Sequence, residues 1–118
     1  MAPYTVPYDF DQAGIVHAPY AIPHPELNIP SVTTRLYRGF CENNLSNFSS
    51  TFTLFNSLKP EIYKVYDSCS LLSRAYKKYA KRYLDAFYKT INNPREIKNE
   101  FGSPCKLETR VVIKGLKK

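Results

Sequence analysis

The sequence predicts a mainly α protein: a helical hairpin with an extended Pro/Tyr-rich N-terminal arm and a short strand-like basic C-terminal tail. Three observations predict it. Six of the nine prolines fall within residues 1–30. Apolar residues then recur at steps of three and four through two long stretches, the signature of amphipathic helices. Past Lys106, apolar and charged residues alternate, which is the period of a strand. The arm is assigned to residues 1–32 and the body to 33–118.

The prolines Pro3, Pro7, Pro19, Pro23, Pro25 and Pro30 forbid a long helix or a central strand in the arm. Each also biases the residue before it toward extended backbone, so an extended or polyproline-like arm is expected. The arm contains a repeat. Ala2-Pro3-Tyr4-Thr5-Val6-Pro7-Tyr8 matches Ala18-Pro19-Tyr20-Ala21-Ile22-Pro23-His24 at an offset of 16 residues. Sixteen extended residues span at most ~55 Å, so two copies suit two like pockets on one partner, linked for avidity. Tyr4, Tyr8, Tyr20 and His24 are the expected docking residues.

Ser31, Thr33 and Thr34 are candidate helix caps. Tyr37, Cys41, Leu45, Phe48, Phe52 and Phe55 follow at helical spacing and predict a helix over 33–55. Leu36-Tyr37-Arg38 is similar to the tripeptide that names the mitochondrial Leu-Tyr-Arg adaptor family. The likeness covers three residues and carries no fold, partner or site over to this chain.

The second helix is expected over 60–91. Pro60 suits a first helical turn and Glu61 suits its positive end. Ile62, Val65, Tyr66, Cys69, Leu72, Tyr76, Tyr79, Tyr83, Phe87 and Ile91 line one face. About 30 residues make a helix ~45 Å long. Asn93, Pro94 and Glu96 form an Asx version of the capping box and open a short further helix, which Gly102 and Pro104 end. In the tail, Leu107, Thr109, Val111 and Ile113 share one face and Lys106, Glu108, Arg110 and Lys114 the other.

Charge divides the chain. Residues 1–34 contain no Lys or Arg and three acids, while residues 35–118 hold all 17 bases and seven acids. A basic body calls for an acidic partner. Residues 74–83 pack five bases into ten positions, and Arg74, Lys77, Lys78, Lys81 and Arg82 are the expected phosphate contacts on a helix over 74–89. The tyrosines among them, Tyr76, Tyr79 and Tyr83, fall on the apolar face, which makes them core residues and the lysines a solvated face on the plainer reading.

No catalytic constellation emerges. His17 and His24 both lie in the arm, and the four glycines are isolated, so neither a Cys–His pair nor a phosphate cradle is expected. Three widely spaced cysteines, Cys41, Cys69 and Cys105, supply neither a disulfide framework nor a zinc site. Reduced thiols, no recognisable secretory signal and no apolar run near 20 residues lead to the expectation of an intracellular protein without a transmembrane segment, cofactor or small-molecule substrate. The sequence therefore supports two functions. One is a non-enzymatic structural or adaptor subunit that docks into a larger protein assembly through its arm. The other is a small nucleic-acid-binding protein, ribosome-associated or viral.

Overall fold

The computed structural model describes residues 6–7, 9–37 and 44–103. The chain divides into two units, Met1–Leu36 and Tyr37–Lys118. The expected strand-like tail lies outside the described residues, as do Tyr4, Tyr8, Cys41 and Cys105.

In the first unit, turns interrupt the extended run that the prolines predict. The Ala13 amide donates to the Phe10 carbonyl, and the Val16 and His17 amides both donate to the Ala13 carbonyl. Ala18-Pro19-Tyr20-Ala21 closes a turn through the Ala21 amide and Ala18 carbonyl at 3.0 Å, with Pro19 at the position its fixed φ favours. Pro25–Leu27 forms one 3-10 turn ended by Asn28 in the left-handed region, at φ 49°. Asn tolerates that region better than most residues. Gln12 joins two of these turns, its Oε1 accepting from the Ile22 amide at 3.2 Å. The prolines exclude long elements here, but they favour turns as readily as extended chain.

The second unit is helical. A 3-10 turn, Leu45–Phe48, leads into α1, Ser49–Ser68. The chain then turns and returns as α2, Arg74–Ile91. A short α3, Pro94–Ile97, continues into one π-helical turn, Lys98–Gly102. Among the described residues there is no strand.

Both long helices expected from the sequence are redrawn. Residues 33–34 belong to a turn closed by the Thr34 amide on the Ser31 carbonyl, and Ser31 Oγ accepts from the Thr33 amide. Residues 38–43 of the expected helix lie outside the described residues, and after them helix begins at Leu45, where Asn44 Oδ1 caps the Ser46 amide. The helix expected over 60–91 is two helices, and Pro60 lies inside the first of them. The break follows Ser68. Cys69 is extended at ψ 108°, and Ser73 at ψ 153°. The Ser73 side chain then accepts from the Tyr76 amide at 3.1 Å, a cap that starts α2. Cys69 and Leu72 stay half-buried in the turn, which is why the apolar spacing runs through it without a gap. The hairpin is therefore α1 with α2. The Asn93 cap is as expected: its Oδ1 accepts from the Arg95 and Glu96 amides at 3.0 and 3.3 Å.

Three residues are buried among those described: Ala80, Tyr88 and Ile91, all on α2. Two aromatic clusters stand in this unit, and the first includes the buried Tyr88. Tyr63, Tyr88, Phe87 and Phe55 pack edge to face or tilted, with centroids 5.2–5.9 Å apart. Tyr37, Phe48, Phe52 and Phe101 form the other, at 5.1–5.9 Å. The second cluster brings together residues 64 positions apart and fixes α3 and its π turn near the start of α1.

Polar contacts fix the register of the hairpin. The Tyr88 hydroxyl donates to the Phe55 carbonyl at 2.9 Å. The side-chain amides of Asn56 and Asn92 bond reciprocally at 2.9 and 3.0 Å. Lys59 Nζ lies over the rings of Tyr63 and Tyr88, at 5.5 and 4.8 Å from their centroids.

Candidate functional site

The described part of the arm presents apolar side chains to solvent. Tyr20 is 65% exposed, and its turn holds Asp11 close enough to raise its phenol, chiefly through the carboxylate charge. Val6 and Ile22 occupy the equivalent aliphatic position of the two repeat copies. They are 76% and 78% exposed. Both copies therefore leave this side chain uncovered. His24 acts locally, because its Nδ1 accepts from the Glu26 amide at 3.3 Å and caps the Pro25–Leu27 turn.

The five bases of the second candidate site separate into two groups. Lys77 Nζ donates to the Asp67 carbonyl at 2.9 Å. Lys81 pairs with the Asp67 carboxylate at 2.5 Å. Asp67 is the penultimate residue of α1, so both cations sit at the negative end of that helix, where its last carbonyls lack intrahelical partners. Arg74, Lys78 and Arg82 are exposed, and among the described residues none of the three makes an ion pair. They stand four residues apart, and Lys89 continues the same face one turn past Asp85.

The tyrosines of this helix meet the plainer expectation only in part, because none of them is among the buried core residues. Tyr76, Tyr79 and Tyr83 are half-buried and form a ladder with 6.0 Å between successive centroids. Tyr66 of α1 stands near this ladder; burial first, and Tyr76 second, push its phenol up.

Two participants were not legible as such in the sequence. Asp67 organises Lys77 and Lys81, yet only the hairpin brings it to them. Asp85 accepts from the Tyr63 hydroxyl at 2.5 Å. Burial, then that bond and the charge behind it, raise the Tyr63 phenol far above its ordinary value.

A further apolar face is uncovered. Leu54, Leu58 and Val65 lie on the side of α1 away from the residues that meet α2, and all three are exposed. Among the described residues no group of three or more His, Cys, Asp or Glu is placed to hold a metal ion, and no helix is long and apolar enough to cross a membrane. Cys69 is a free thiol. No protein-family model, curated protein or solved structure matches this chain.

Proposed function

We propose that the chain is a non-enzymatic structural or adaptor subunit that docks into a larger intracellular assembly through its N-terminal arm. The exposure of Val6 and Ile22 at the same position of two repeat copies carries this reading. Burying one such side chain contributes roughly 1.5–3 kcal/mol, and two linked copies reinforce each other. Tyr20 beside Ile22 adds a ring with a polar tip, which suits a contact that is apolar within and wet at its edge. Tyr4 is the corresponding anchor of the first copy, and Tyr8, at the position His24 holds in the second, adds another ring. The uncovered Leu54, Leu58 and Val65 on α1, and a core of three buried residues among those described, support a body that functions against other surfaces.

The test is sedimentation of the tagged full chain from cells of its source. Wild type is expected in a particle far larger than 13.6 kDa. The variant Y4A/Y8A/Y20A is expected in the slow fraction, and nuclease treatment is expected to leave the wild-type profile unchanged. A free wild-type chain, or a triple variant that still travels with the particle, contradicts the proposal.

A further inference from the structure

We propose that the outward face of α2, formed by Arg74, Lys78, Arg82 and Lys89, binds the phosphate backbone of nucleic acid, through a surface distinct from the docking arm. The hairpin contacts account for Lys77 and Lys81, which hold the end of α1 through Asp67. They do not account for the other four bases, which are exposed. Stability of α2 does not call for Arg74 either. It is the first residue of the helix, where the dipole disfavours a cation, and no acid accompanies it in that turn.

The arrangement suits a linear polyanion. Bases four residues apart rise about 6 Å per step, so Arg74 to Arg82 spans about 12 Å and Arg74 to Lys89 about 22 Å. Ala75 and Ala86 flank the stripe and are exposed, leaving room for a backbone to approach. Asp85 is the acid on this helix, and its carboxylate accepts from Tyr63. The stripe offers no large apolar side chain of the kind that inserts into a bilayer; the exposed Leu54, Leu58 and Val65 stand on α1 instead.

The test is fluorescence anisotropy of labelled random-sequence oligonucleotides, single-stranded and duplex, titrated with the full chain between 50 and 200 mM salt. Four phosphate contacts give a log–log salt slope of about −3.6 on duplex and about −2.8 on single strands, or roughly 150-fold weaker duplex binding across that range. K78Q/R82Q should reduce the duplex slope by about 1.8. K77Q/K81Q removes the same charge and should leave the slope unchanged while lowering the unfolding temperature. K64Q/K98Q removes two exposed charges away from the stripe and keeps the comparison valid if K77Q/K81Q unfolds. Equal losses from K78Q/R82Q and K64Q/K98Q overturn the proposal. So does the absence of wild-type binding at 50 mM salt, and so does tighter binding to vesicles of anionic lipid than to either oligonucleotide.

Discussion

α1 and α2 are nearly equal in length, 20 and 18 residues, yet they are helical for different reasons. α2 has a serine cap, a lysine in its last turn and one apolar face that supplies all three buried residues. α1 follows Phe48 without a side-chain cap, carries a proline in its interior and is apolar on two sides. A proline inside a helix removes one hydrogen bond and crowds the carbonyl four residues back, here that of Asn56, at a cost of about 3 kcal/mol. Three tertiary contacts compensate beside it: the Tyr88 hydroxyl on the Phe55 carbonyl, the Asn56–Asn92 amide pair, and Lys59 over the Tyr63 and Tyr88 rings. α2 is thus specified by its own sequence, and α1 by what α2 offers it. Most helical stability in proteins comes from tertiary packing of an apolar face, so a helix with an interior proline and no side-chain cap depends strongly on its neighbour.

The sharpest way to break that relation is Tyr88→Ala. It removes a buried ring that meets Tyr63 and Phe87 and deletes the bond to the Phe55 carbonyl. A loss of about 3–5 kcal/mol is expected, a large share of what so small a unit holds. Circular dichroism should show α1 melting out. Pro60→Ala acts in the opposite direction. It restores the donor to the Asn56 carbonyl, offset by a more flexible unfolded chain, for a net gain of about 2 kcal/mol seen as a higher urea midpoint. Ser73→Ala removes the α2 cap and should cost about 1 kcal/mol by the same measurement. The opposite signs at Pro60 and Ser73 are the comparison in its simplest form.

The effect most specific to pH concerns Tyr63. Its phenol is raised by burial first and by Asp85 next, and burial raises Tyr88 as well. A phenol raised in the folded state contributes stability that is fully present below its unfolded value near 10 and is lost as pH climbs through its folded value. The hairpin should therefore lose stability above about pH 10. Tyr63→Phe should flatten that loss while costing about 1 kcal/mol at pH 7. Tyrosinate absorbance followed together with circular dichroism reads both.

The same contrast explains what the sequence disclosed. The apolar face of α2 was legible in part: Tyr76, Tyr83, Phe87 and Ile91 keep helical spacing and Asn93 caps the short helix after it, but of the three residues buried among those described only Ile91 stood on the expected face, and Ala80 and Tyr88 did not. The boundary between the helices was not. Cys69 and Leu72 stay half-buried and preserve the spacing, and the punctuation lies in Ser68, Ser70 and Ser73, which single-residue periodicity overlooks. Pro60 reads as a helix start because interior prolines are costly, and the contacts that offset this one come from residues about 30 positions away. The basic site was half legible. Residue type identifies five candidate phosphate ligands, but only the return of the chain places Asp67 against two of them.

Amide hydrogen exchange on the intact wild-type chain measures directly how far α1 depends on α2. The α2 amides around Ala80–Tyr88 should exchange slowest, and the α1 amides on both sides of Pro60 should exchange faster and together, as α1 leaves the surface of α2. Protection in α1 equal to or greater than that in α2 would contradict that dependence, because α1 would then hold its helix without the contacts that α2 supplies.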